Sequence, residues 1–418
     1  MSAPPETSSE PPELLRHRSF VLYWCVRTFT NGAFMMQSVA VGWQIYDLTG
    51  SALDLGLVGL VQFVPFVMLA VVVGPTIDRF DRRAIARTAQ LVKAAAALTL
   101  AAGTIGGWLS RDAFLAVLFM TGVARSFEQP TLHALIPGLV SARLLPRAIA
   151  AASTAGQTAV ICGPALGGLL YLLGPATVYG ICVAVYGAAA VLVSLIKLNA
   201  PPAQKRPFTL ATVFAGFGYV KSRPILLGAM SLDLFAVLLG GLTALLPIFA
   251  KDILATGPWG LGLLRSAPAV GALSMAVWLA NHPFERRVGP ILFVATSMFG
   301  LSIVVFSLST SLVLSIAALA LYGAMDATSV VIRHSLVQTR TPNDMLGRVM
   351  AINSMFTGSS GTLGEFRAGM VAALFGAVGA AVAGGLGTIA VVALWMVLFP
   401  QLARIDTIAP KDDRQKQS

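Results

Sequence analysis

The feature that most constrains this chain is a succession of apolar stretches, each about twenty residues or longer, repeated from one end to the other. A helix needs about 20 apolar residues, rising about 1.5 Å each, to cross a hydrocarbon core about 30 Å thick. Stretches of that kind run near 20–46, 53–74, 84–107, 113–138, 148–173 and 175–197. A second set runs near 224–250, 258–280, 290–309, 312–339, 348–373 and 377–399, with Gly, Pro and charge between the runs. Twelve spans predict an all-α membrane protein. Composition agrees: 56% of residues are hydrophobic and 11% charged, against roughly 25% charged in a soluble domain.

The order of the spans predicts two six-helix bundles, 19–198 and 224–400, joined by a cytoplasmic linker at 199–223 that carries Pro201, Pro202, Lys205, Arg206 and Pro207. The middle of that linker suits an interfacial amphipathic helix. Residues 1–18, rich in Pro, Ser and Glu and without the basic start and small-residue cleavage site of a signal peptide, are expected to be a disordered tail. Residues 401–418 form a second tail. With both termini in the cytoplasm, the inside loops hold thirteen cations, among them Arg79, Arg82, Arg83, Arg143, Arg286, Arg287 and Arg348, and the outside loops only Arg111 and Lys251. That asymmetry is the positive-inside pattern, and it explains the net charge of +11 without nucleic acid.

The chain also repeats itself. His133-Ala134-Leu135, Leu145, Arg147, Ala150 and Ser153 recur as His334-Ser335-Leu336, Leu346, Arg348, Ala351 and Ser354 at one offset (334 − 133 = 201). Gly122, Gly163 and Gly168 recur as Gly323, Gly364 and Gly369. Six helices per copy is an even number, so both copies enter the membrane from the same side. The two bundles are then related by a pseudo-twofold along the membrane normal, with a substrate site at their interface.

Two motifs carry mechanism. Gly74-Pro75-Thr76-Ile77-Asp78-Arg79-Phe80-Asp81-Arg82-Arg83 resembles the loop between helices 2 and 3 of the major facilitator superfamily, G-x-x-x-D-R-x-G-R-R/K, with Asp81 standing where the pattern has glycine. The expectation is that Gly74 admits a close neighbour, that Asp78 caps or pairs at a helix end, and that Arg79, Arg82 and Arg83 bridge to carboxylates to latch one conformation. Gly163-Pro164-Ala165-Leu166-Gly167-Gly168 resembles the core of the superfamily's antiporter motif, with Ala159 and Thr154 where earlier glycines stand. Its proline bends a helix and its glycines admit close packing against the other half. Ser126-Phe127-Glu128-Gln129-Pro130, Ile136-Pro137-Gly138-Leu139-Val140, Asp326 to Arg348 and Gly364-Glu365-Phe366-Arg367-Ala368-Gly369 resemble the branch that includes the enterobactin exporter and the transmembrane secretion effector transporters. The resemblance implies a monomeric transporter of the bacterial inner membrane with the major facilitator fold, exporting a siderophore, drug or other amphiphilic small molecule in exchange for protons.

Ionisable groups within spans are expensive, about 2.5–3.5 kcal/mol on insertion scales, and so mark function by default. The sequence offers Arg27, Arg125, Glu128, Asp233, Asp326, Arg333, Glu365 and Arg367 as cavity or proton-coupling candidates. Arg125 and Glu128 share a helix face. Arg125 and Asp326 are repeat equivalents (326 − 125 = 201), which sets opposite charges on opposite walls of one cavity. Asp326, Asp233 and Glu365 are the candidate proton carriers. Cys25, Cys162 and Cys182 form no CxxC pair, and His17, His133, His282 and His334 are scattered, so no metal site is predicted. No G-x-x-x-x-G-K-[ST] loop occurs, and nothing in the motifs calls for a cofactor. Import or uniport is the alternative within transport. A membrane enzyme or a sensor is the alternative outside it, disfavoured by the lack of a nucleophile elbow or a metal-ligand cluster.

Overall fold

The computed structural model describes residues 14–141, 143–197, 217–284 and 286–408. Its helices are α1 Arg18–Thr49, α2 Ala52–Arg79, α3 Arg82–Gly106, α4 Arg111–Leu135, α5 Leu145–Leu170 and α6 Pro175–Ser194. After these come α7 Pro224–Gly240, α8 Gly257–Asn281, α9 Val288–Leu308 and α10 Leu312–Arg340. The last helical run, Asn343–Leu398, is broken at Gly376 (φ 76°, ψ 163°), a conformation that glycine reaches without strain. It is therefore two spans, α11 (343–375) and α12 (377–398). The α7 span breaks at Gly241 and goes on through short turns to a π-helical segment, Phe249–Ile253.

Local chemistry sets these boundaries. Gly50 (φ 61°) and Gly107 (φ 68°) close α1 and α3 in the left-handed region. Ser51 and Ser110 cap α2 and α4, their hydroxyls accepting from the amides of Asp54 and Ala113. Pro175 and Pro224 open α6 and α7, where a missing N–H is harmless.

Among the described residues nine helices are long and apolar enough by composition to cross a membrane, with Met345–Leu398 taken as one. Counting it as two and adding α1 and α4 gives the expected twelve. Those two helices fall short on hydropathy because of polar residues along their length: Asn31, Gln37 and Gln44 on α1, Arg125 and Glu128 on α4. The outer surface is what a bilayer solvates. Val71, Ile105, Leu173, Val313, Leu374 and Val397 are each 71–78% exposed, an arrangement that in water would promote aggregation.

The first six helices pack α1 on α5 and α6, α2 on α4, and α3 on α4 and α6. The second six repeat this scheme: α7 on α11 and α12, α8 on α10, α9 on α10 and α12. Close approaches coincide as well. A Cβ on Gly122 of α4 would stand 2.5 Å from the Gln62 carbonyl oxygen of α2, and one on Gly323 of α10 would stand 1.9 Å from that of Pro268 of α8. The repeat seen in α4 and α5 thus reaches back to α2 and α8, with the offset changed to 206 (268 − 62 = 206).

Some expectations for the ends of the chain change. Leu14–Arg16 form a 3-10 turn and α1 already starts at Arg18. The described part of the last segment is no free tail. Leu402 is fully buried, the Gly289 amide donates to the Ile405 carbonyl (2.9 Å) and the Arg287 amide to Asp406 (3.0 Å), so the segment is strapped across the start of α9. Residues 1–13, most of the linker (198–216) and residues 409–418 lie outside the described residues.

Candidate functional site: a cavity between the two halves

The halves meet along two crossings, α2 with α11 and α5 with α8. Both are built on glycine. The position of a Cβ on Gly369 lies 2.9 Å from the Gly56 Cα, and that of a Cβ on Gly168 lies 2.9 Å from the Gly262 Cα. Gly56 and Gly262 also keep the 206 offset (262 − 56 = 206), so the two crossings are pseudo-twofold equivalents. In the antiporter-like motif, Gly163 and Gly167 lie against Met35 and Met36 of α1, Gly168 reaches across to α8, and Pro164 lends its carbonyl to the same crossing.

These contacts run from the middle of the bundle to the end away from the chain termini. At that far end the Lys251 ammonium pairs with Asp47, and the Tyr46 hydroxyl donates to Asp252, joining α1 to the π-helical segment of the other half. At the terminal end, Cβ atoms on Gly74 of α2 and Gly347 of α11 would meet nothing within 4 Å. Between the halves lies a cavity with two lobes, about 530 Å³ and 280 Å³, which share Val160, Thr243 and Arg265 as walls.

The larger lobe presents Phe34, Phe63 and Phe66 beside Gln62, Gln129, Arg125, Arg265 and Glu365. The Arg125 guanidinium lies over the Phe34 ring, 3.5 Å from its centroid, a cation–π contact that holds the charge at the wall. Arg265 Nη1 crosses to the first half and donates to Ser38 Oγ (2.9 Å). The smaller lobe presents Gln157, Tyr322 and Asp326. Among the described residues Asp326 and Glu365 find no hydrogen-bond donor for their carboxylates, and both line the cavity.

Other charges are locked away from it. Glu128, 2% exposed, accepts from Lys93 Nζ at 2.7 Å with each oxygen and from Gln90 Nε2 at 2.6 Å. The Lys93 ammonium also faces the Tyr186 ring at 4.4 Å. In the second half Arg333, 1% exposed, pairs with Asp233 and donates to Thr357 Oγ1 (3.2 Å). A small void joins Asp233 to Asp326.

Several of the predicted residues take other places. Arg367 does not line the cavity: its Nε and Nη2 donate to the carbonyls of Leu238 and Leu239, which the break at Gly241 leaves without helical partners. Arg27 donates to the Tyr23 hydroxyl one turn away (3.1 Å). Arg125 and Asp326 both line the cavity, in different lobes and without an ion pair between them. Sequence reasoning missed Lys93 and Arg265. Each lies inside one of the apolar stretches, 84–107 and 258–280, so the signal was a cation within an apolar run.

The loop motif is also partly rearranged. Gly74 has open space instead of a close neighbour, and Asp78 makes no ion pair among the described residues. Asp81, at φ −60° and ψ 117°, needs no glycine there; it caps α3, accepting from the Arg83 amide (2.9 Å) and pairing with its guanidinium (2.9 Å). The Arg83 side-chain hydrogen bond holds the Asp81 carboxyl below the ordinary carboxylate range. Arg82 and Arg83 reach backbone carbonyls, of Ala134 (2.9 Å) and Ile196 (3.2 Å), rather than carboxylates of neighbouring helices.

Comparison with known proteins agrees with this architecture. The profile of the family described as "Transmembrane secretion effector" matches residues 9–416. The enterobactin exporter EntS of Citrobacter koseri is 28% identical over 410 residues, 96% of each chain. That of Escherichia coli O139:H28 is 27% identical over 408 residues, 95% of this chain and 96% of the other. Among solved structures, a mutant of the nucleoside transporter NupG superposes with a TM-score of 0.74 at 12% identity, covering 91% of this chain and all of that one. A bacterial homologue of the iron transporter ferroportin gives 0.70 at 17% identity, covering 94% of this chain and all of that one. A twelve-helix bundle in two equivalent halves, a cavity between them and a family profile running nearly end to end agree: the chain belongs to the transmembrane secretion effector family of major facilitator transporters.

Proposed function

We propose that this transporter exports an amphiphilic small molecule, a siderophore or drug-like compound, from the cytoplasm in exchange for protons, by alternating access. The observation that carries the reading is the pair of cavity carboxylates, Asp326 and Glu365, that find no hydrogen-bond donor among the described residues while Glu128 and Asp233 are tied to cations. A carboxylate without a fixed partner can take up a proton without breaking an ion pair.

With both termini cytoplasmic, the described conformation is closed to the outside by the glycine crossings and open to the cytoplasm. Cargo enters between α2 and α11 and between α5 and α8, its aromatic or apolar part against Phe34, Phe63 and Phe66. Arg125 and Arg265 suit an anionic or strongly hydrogen-bonding head group. The relatives named as enterobactin exporters support export of this kind of cargo, and the partial antiporter motif supports its direction.

The test is transport in everted vesicles acidified inside by respiration. Asp326→Asn or Glu365→Gln is expected to abolish uphill uptake while leaving exchange of preloaded cargo intact. Full uphill activity in both variants would remove the proton-carrier assignment, and uptake only in right-side-out vesicles would make the protein an importer.

A further inference from the structure

A second cavity, about 540 Å³, lies at the terminal end of the second half, between the start of α7 and the end of α10. None of its lining residues borders the central cavity. Arg223, Arg340, Thr341 and Gln401 line it, and among the described residues no acidic side chain does. Thr341 is 6% exposed, and its hydroxyl is buried without a hydrogen-bond partner. Arg340 gives Nη2 to the Thr407 carbonyl (3.1 Å), but its Nε is buried and unpartnered.

Ile225 and Leu226 also border the space. They belong to the first turn of the 17-residue α7, which no side chain caps. A buried hydroxyl and guanidinium N–H without acceptors are costly, and such groups are normally satisfied by something bound. Two guanidinium groups, one hydroxyl and the positive end of a helix dipole all favour an anion with several acceptor oxygens.

We infer that this pocket binds a phosphate group, and that its placement at the end of a membrane bundle suits the headgroup of an anionic phospholipid, tying the start of α7 to the end of α10. A soluble phosphate ester offers the same oxygens. Native mass spectrometry of the purified full-length protein separates the two sources, titrating phosphatidylglycerol or phosphatidylcholine with and without millimolar sodium phosphate. Phosphatidylglycerol is expected to bind in preference to phosphatidylcholine, and about thirtyfold more weakly to the R223Q/R340Q variant, from about 1 kcal/mol per arginine at a membrane surface. Thr341→Val, which keeps both arginines and the fold, is expected to weaken binding several-fold. Binding that resists sodium phosphate assigns the site to lipid, and displacement by it assigns the site to a soluble phosphate compound. Equal affinity for the two lipids, or phosphatidylglycerol affinity unchanged in both variants, overturns the proposal.

Discussion

Arg265 of the second half donates to Ser38 of the first, and its Nη2 lies 3.0 Å from where a Cβ on Gly42 would stand. The cation can extend across the cavity because glycine leaves room for it. Gly42→Ala is expected to push Arg265 off Ser38 and lower transport about tenfold, a loss of roughly 1.4 kcal/mol. Ser38→Ala, which removes the acceptor without the clash, is expected to do less. Uptake rates of the two variants at equal expression check the order.

Lys93 and Glu128 form a buried pair in which, among the described residues, neither charge has another counter-ion in contact. Lys93→Met is expected to cost about 3–5 kcal/mol of stability by stranding the carboxylate, and adding Glu128→Gln to recover most of it. Thermal unfolding in detergent reads this out. A single variant as stable as wild type would show the pair to be dispensable.

A side chain at position 168 has no space: its Cβ would be 2.5 Å from the Pro258 carbonyl oxygen. Gly168→Val is expected to prise open the end of the bundle away from the termini. Cysteine placed at Val58, on the cavity wall, then becomes several-fold more reactive to an impermeant thiol reagent added from that side. Unchanged labelling would mean that this crossing does not seal the cavity.

Asp81 has a lowered carboxyl pKa through its hydrogen bond with Arg83, so its contribution to stability is present above the ordinary value of 3.8 and is lost as pH falls through the lower, folded one. Asp81→Ala removes the cap of α3 and is expected to lower the apparent Tm by about 2 °C at neutral pH. The difference from wild type should shrink below about pH 4. A constant difference across pH would assign the effect to something other than the carboxylate.

The spans were legible because hydrophobic length is a local property, readable one window at a time. The repeat was legible through sparse identities such as His133 and His334. Partner choice was not. Arg333 finds Asp233 a hundred residues away on another helix, and no local pattern encodes that. Symmetry set Arg125 and Asp326 on the walls of one cavity, and a pseudo-twofold relates such positions without bringing them into contact. Arg125 lies over Phe34 of its own half, and Asp326 lines the lobe beside Tyr322. The spacing around Gly74 depends on which end of the bundle is closed, and a sequence carries all conformations at once.

The two glycine crossings bring backbone to backbone, with no interlocking side chains at the points of nearest approach. A contact made by long side chains freezes rotamers when it forms, at about 0.5–2 kcal/mol for each one ordered. Gly56 on Gly369 and Gly168 on Gly262 freeze none, so at these points the halves can part and rejoin without that entropic toll. Each crossing is built as a plain bearing rather than a gear, seated on backbone with no side-chain teeth to disengage.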